Sequence, residues 1–311
     1  MIFAARDLLV SLAFFAMVYC PLSLLVVSVW RGLERLPRAS VLSSANVLFG
    51  LRIFPFAVSA AVTLFFTVPS FWMLERMSPD EDAATFALAA CTLLILGAGL
   101  FRVLRAQART TRAVRRWLVC ATHLGSDAIA PALSASQGAP PLVLVGIRRP
   151  RVMVSDIAAA MLTGDELTVA VRHELGHARS WDNLKKVLVN SIPFPGMASL
   201  ESAWQEAAEL AADDAAVATR QEALNLAAAL IKLSRSSQRT PAPLLATGLM
   251  SGSSSISMRV ERLLRWHITA RRIPTTWPWT LFVLLTTVVA IAGHYSATLV
   301  LTHRLTELLV P

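Results

Sequence analysis

Two histidines four positions apart, with a glutamate directly after the first, carry the clearest chemistry in this chain: His173-Glu174-Leu175-Gly176-His177. On an α-helix each residue turns about 100°, so positions i and i+4 lie roughly 40° apart and one turn above each other. His173 and His177 can then offer both imidazoles to a single Zn2+ ion, while Glu174 reaches a water bound to it. A zinc-held water beside a carboxylate base is the apparatus for hydrolysing a peptide bond. From the composition alone, roughly 0.004 chance matches to this five-residue pattern are expected, so coincidence is a weak competitor.

Zinc hydrolases take three protein ligands and keep a fourth position for water. A third ligand is available in the stretch Trp204-Gln205-Glu206-Ala207-Ala208-Glu209-Leu210-Ala211-Ala212-Asp213-Asp214, whose Ala, Glu and Leu favour a helix. Glu209 and Asp213 stand at i and i+4 and share one face. Glu209 can supply the ligand, and Asp213 a carboxylate that orients the site from behind. Glu206, one turn earlier, is a rival ligand, and a solvated acidic face is the bland alternative. Asp182, five positions past His177, fits either an acceptor for a ligand imidazole or a polar residue at a helix end. Spacing alone does not choose between them.

The element that must hold the motif is well signalled. Thr163-Gly164-Asp165-Glu166 fits a capping box, with Thr163 as N-cap and Glu166 reaching back. Leu167, Ala170, Val171, Leu175 and Ala178 then recur near helical spacing. Before it, residues 102–125 read as a basic helix and 126–140, rich in Ser, Ala, Gly and Pro, as a loop. Two short strands are expected, over 142–147 and 151–155, joined by the turn Arg148-Arg149-Pro150. The edge of such a small sheet could hold an extended peptide by strand addition, or the pair is an ordinary hairpin. Pro193 and Pro195 break the chain before the Glu209 helix. A further helix is expected over 222–234, a polar loop over 236–255 and a last basic helix over 258–268.

A hydrophobic fraction of 55% with only 16% charged residues is too apolar for an ordinary soluble domain. Four stretches are long enough to cross about 30 Å of hydrocarbon. They run over 8–30, 53–74, 83–101 and 277–301, and the first reads as an anchor rather than a cleaved signal peptide. The third is the shortest and could instead be a buried core helix. The organisation that follows is a membrane domain over 1–101, a zinc peptidase domain over 102–276, a fourth span over 277–301 and a tail over 302–311.

Arginine and lysine orient it. Arg31, Arg35, Arg38 and Arg52 are placed after the first span, whereas Arg76 stands against Glu75, Asp80, Glu81 and Asp82 after the second. Residues 102–276 hold 22 Lys and Arg and 13 Asp and Glu, which accounts for the whole net charge of +9. The first loop and the long segment are therefore expected in the cytoplasm of a bacterial-type cell, with both termini outside. Six arginines between 102 and 116 directly follow a span, where anionic lipid is a plainer partner than nucleic acid. No recognition motif for nucleic acid accompanies them. The 3 cysteines, Cys20, Cys91 and Cys120, form no paired framework, in keeping with a reducing compartment for the catalytic part.

Three spans, His173-Glu174-x-x-His177, Glu209-x-x-x-Asp213 and a closing span resemble the BlaR/MecR antirepressor family of integral-membrane metallopeptidases. Pro150-Arg151-Val152-Met153-Val154-Ser155 looks like that family's strand before the zinc helix, and Arg259-Val260-Glu261-Arg262-Leu263-Leu264 like its closing helix. The resemblance implies a mainly α fold, with four transmembrane helices and a gluzincin-type protease domain carrying a small sheet. It implies His173, His177 and Glu209 as ligands of one Zn2+, Glu174 as general base, Asp213 as support and Asp182 as a recurrent acid. The family's well-known sensors carry a large external penicillin-binding domain after the fourth span. Here Thr302 to Pro311 follow it, so a separate sensor protein is expected.

The function expected is membrane-tethered cleavage of a cytoplasmic protein, such as a winged-helix repressor. HtpX-like quality control of membrane proteins is the alternative within the same enzyme class. A non-catalytic receptor using the zinc fold as scaffold is the alternative outside it, but a scaffold has no need of Glu174.

Overall fold

The computed structural model describes residues 2–34, 45–70, 83–117, 123–126, 131–135, 139–235 and 256–266, with a few positions between 297 and 305. Among the described residues, three helices are long and apolar enough to cross a membrane: Leu8–Leu33 within α1 (Ile2–Leu33), Ala45–Ser70 within and beyond α2 (Ala45–Val62), and α3 (Ala83–Trp117). The expected fourth span lies almost wholly outside the described residues. Two expectations are corrected here. The second helix begins at Ala45, so Arg52 belongs to it and not to the preceding loop. Its buried guanidinium has protein partners, which lets an apolar helix carry it. The basic helix expected over 102–125 is described as far as Trp117, and its expected end, His123–Ser126, is a strand instead.

The chain forms two compact units. One takes in residues 1–29, 53–97 and 269–311. In it Val10 and Ala13 of α1 pack on Ala89 of α3. Thr92 Oγ1 donates to Leu12 O at 2.7 Å. The other unit takes in residues 30–52 and 98–268 and carries the HExxH motif.

In this second unit a four-stranded sheet is ordered β1-β2-β4-β3. Its strands are β1 (His123–Ser126), β2 (Pro131–Ala135), β3 (Leu142–Val145) and β4 (Arg151–Ser155). β4 pairs parallel with β2 and antiparallel with β3. The hairpin of β3 and β4 was expected; β1 and β2 replace what reads as helix end and loop. Strand period two sends Leu142, Leu144, Val152 and Val154 to one face and Val143, Val145 and Met153 to the other. The first set joins the main core, with Val169, Ala170, Leu175, Leu226 and Leu230. The second set packs on Ala113, Val114 and Trp117 of α3. A sheet covered on both faces needs apolar residues at every position, which is why β3 reads as an unbroken apolar run.

Among the described residues, six helices follow or flank the sheet: α4 (Asp156–Met161), α5 (Gly164–Arg179), α6 (Asp182–Ser191), α7 (Ala198–Ala216), α8 (Arg220–Arg235) and α9 (Ile256–Leu264). The capping box is present at α5. Glu166 Oε2 accepts from Thr163 N at 2.8 Å, and Thr163 Oγ1 accepts from Glu166 N at 3.4 Å.

Candidate metal centre

α5 presents His173 and His177 on its inner face, and α7 crosses it there. The crossing is close because Gly176 has no side chain: a Cβ at that position would lie 3.3 Å from Ala212 Cα. Glu209, one turn before Asp213 on α7, is thereby brought to the histidines. Their Nε2 atoms face each other at 3.2 Å. The Glu209 carboxylate stands 3.5 Å from His173 Nε2 and 3.6 Å from His177 Nε2. One ligand atom from each of these three residues lies within 4.8 Å of the others. Glu206, the rival on the same helix, is not part of this group among the described residues.

Each imidazole is braced from behind. His177 Nδ1 is 2.7 Å from Asp182 Oδ2. A sharp turn makes that possible, with Trp181 in the left-handed region at φ 57° between α5 and α6. Such a backbone is unusual for a bulky residue. His173 Nδ1 lies 3.0 Å from Asp213 Oδ1, close, though off the line of a good hydrogen bond. Partners of this kind fix which ring nitrogen is free to face a metal.

Two residues that sequence reasoning did not identify as part of the site complete it. Arg259 on α9 donates from Nε to Asp213 Oδ2 at 2.8 Å, from Nη2 to Asp213 Oδ1 at 2.5 Å and from Nη1 to Glu209 Oε2 at 2.9 Å. The signal was available: Arg259 sits on the same face as Ile256, Val260 and Leu263, where a solvated cation does not belong. The other is Lys186 on α6. Burial pushes its ammonium down, against the pull of the Glu209, Asp182 and Glu174 carboxylates.

The electrostatics suit a cation. Burial works against ionising His173, but the carboxylates of Asp213 and Glu209 outweigh it and raise the imidazole to about 9. Glu209 also resists burial: the His173 hydrogen bond, with His177 and Arg259, lowers it to about 2. The same kind of support, from His173 and Arg259, holds Asp213 well below the usual carboxylate range despite its burial. Glu174 is fully buried, and neither of its carboxylate oxygens has a hydrogen-bond partner among the described residues. Burial accordingly pushes its carboxyl up. Facing imidazole nitrogens, an adjacent carboxylate and an unpartnered buried glutamate form a donor set that fits a divalent metal with a bound water.

At the β3 edge the alternation of the ladder turns the Leu144 carbonyl away from β4. Asn183 Nδ2 donates to it at 3.3 Å and to Gly146 O at 2.9 Å. Two carbonyls that an added peptide strand would use on this edge are therefore already bonded.

A family model described as BlaR1 peptidase M56 matches residues 83–263, more than half of the chain. The matched stretch contains every residue of the centre named above. No curated protein matches the chain.

Proposed function

The chain belongs to the BlaR1 peptidase M56 family, and from that premise we propose that it is a zinc-dependent metalloendopeptidase performing regulatory cleavage of a cytoplasmic protein. The observation that carries the reading is Glu174, a carboxylate buried beside His173, His177 and Glu209 with no hydrogen-bond partner among the described residues. Leaving such a group unsatisfied costs stability, and a catalytic role or a bound water accounts for its being kept.

His173, His177 and Glu209 would hold the Zn2+, which when bound supplies Lewis acidity to the scissile carbonyl and lowers the pKa of a water. Glu174 takes the proton from the attacking water and later hands it to the departing amine nitrogen. A carboxyl raised by burial is better matched to that task near neutral pH than an exposed one. Asp182 and Asp213 keep the two imidazoles turned with Nε2 inward, and Arg259 holds Glu209 and Asp213 in place.

The ligand set and its base are almost wholly closed to solvent, with Glu209 the most exposed of them at 4%. A peptidase shut in this way suits regulated cleavage better than continuous turnover of damaged proteins. A DNA-bound repressor of winged-helix type, presented on the cytoplasmic side, is the proposed substrate.

The test is Glu174→Gln in the full chain. Metal analysis should show zinc retained, because Glu174 is not a ligand. Comparison of cleaved proteins in wild-type and variant cells should show one regulator, or a few, left intact. Undiminished proteolysis by the variant ends the assignment, and stabilisation of a broad set of membrane proteins moves it to quality control.

A further inference from the structure

Arg52 stands in the first third of α2, a helix that runs on to Ser70 as a candidate membrane span, yet it is only 2% exposed. Two of its three guanidinium nitrogens have protein acceptors. Nε donates to Glu201 Oε1 at 2.9 Å, and Nη2 donates to Ile192 O at 2.6 Å and to Val189 O at 3.3 Å. The two carbonyls lie at the C-terminal end of α6, where backbone acceptors have no partner within the helix and the helix dipole is negative. Glu201 is in the first turn of α7. One side chain therefore ties together the end of α6 and the start of α7.

These are the helices that bring carboxylates to the metal centre. α6 opens with Asp182, which braces His177, and α7 carries Glu209 and Asp213 further along. The corner between them is gripped at several other points of the same unit. Trp30 Nε1 donates to Ser199 Oγ at 3.0 Å. Lys185 Nζ donates to Asn46 Oδ1 at 2.8 Å. Phe49 and Trp204 meet with ring centroids 6.0 Å apart. On α3 a Cβ at Gly99 would collide with the Ser191 carbonyl, so that helix presses its bare backbone on the same corner. All three apolar helices thus contribute a residue to it.

We propose that Arg52 is a positioning residue for the metal centre, setting the placement of Asp182 and Glu209 through the α6–α7 corner. The metal geometry is then a function of how α2 is held, and a change in that helix is felt by the ligands without any movement of α5. This rests on the reading of His173, His177 and Glu209 as metal ligands.

The experiment uses the full chain in lipid nanodiscs, stripped of metal and titrated with Co2+. Cobalt's visible absorption reports the geometry of its ligands, and competition with Zn2+ gives affinity. Arg52→Ala should weaken metal binding roughly tenfold, the lower end of what losing a group behind a ligand does, and should change the cobalt band shape while helix content stays constant. Arg52→Lys should fall between the two, because one ammonium cannot serve a carboxylate and two carbonyls as a guanidinium fork does. Arg109→Ala, which removes an exposed arginine on α3, should match the wild type. Native affinity and band shape in Arg52→Ala overturn the proposal and leave the peptidase reading standing. A wild type that binds neither Co2+ nor Zn2+ overturns that reading instead. Should Arg52→Ala fail to accumulate, Arg52→Lys and Glu201→Gln decide by the same two readouts.

Discussion

His173 stands between two carboxylates, Asp213 at its Nδ1 and Glu209 at its Nε2. That placement fixes a pH dependence whose sign can be worked out. The imidazole is raised to about 9, so at neutral pH the metal-free ring is protonated. A metal needs the lone pair on Nε2, so binding must expel that proton. Apparent zinc affinity should therefore climb as pH rises from 6 and level off above about 9. Titration calorimetry at pH 7 in buffers of different ionisation enthalpy should show about one proton released per ion bound; release of none means that His173 is neutral before the metal arrives. At this scale the sequence was most legible where the ligands are close together in the chain. His173, Glu174 and His177 share one helix turn, and Glu209 and Asp213 share another. Arg259 reaches the same two carboxylates across 46 and 50 positions, from a helix that docks after a long segment without periodicity. Local spacing carries no trace of such a contact. The arginine on an apolar face was the one clue. Lys186 offered none, since a lysine on a short helix is ordinarily solvated.

Gly176 decides how α5 meets α7. The fourth residue of the motif points away from the metal and into the crossing, where a single methyl would already be tight against Ala212. Gly176→Val should push α7 outward and take Glu209 with it. The expected result is at least a tenfold loss of zinc affinity, as for loss of a group behind a ligand, with about 1–3 kcal/mol of lost stability from overpacking. Gly176→Ala should lie between the two in both respects. Zinc competition and thermal melting of the variants measure this; full affinity in Gly176→Val would show that the crossing does not position Glu209. The helices themselves were legible because amphipathic periodicity and a capping box are local signals. β1 and β2 were not. The stretch over 126–140 has a turn-former's composition, and β2 is a strand because it pairs with β4, some twenty positions away. The start of α2 is hidden in the sequence for a related reason. An arginine reads as the end of an apolar span until Glu201 and the α6 carbonyls supply its partners.

Of the two compact units, the one with the metal centre includes the C-terminal part of α3. That helix carries no acidic residue, and on it Arg102, Arg105, Arg109 and Arg112 are exposed and form no ion pair among the described residues. Their spacing of three and four positions sets them along one face, directly after the apolar stretch. Basic residues flanking a span stay on the cytoplasmic side, where anionic headgroups can also neutralise the nearest of them. The acidic stretch 75–82 between the second and third apolar helices should then face outward. In a chain with Cys20, Cys91 and Cys120 replaced, Glu81→Cys should react with a membrane-impermeant maleimide on intact cells. Arg109→Cys should react only once the membrane is broken. The reverse pattern would put the metal centre outside the cell, because Arg109 and His173 belong to one compact unit. No repressor could be its substrate there, so this labelling tests the peptidase's access to such a substrate before any substrate is known.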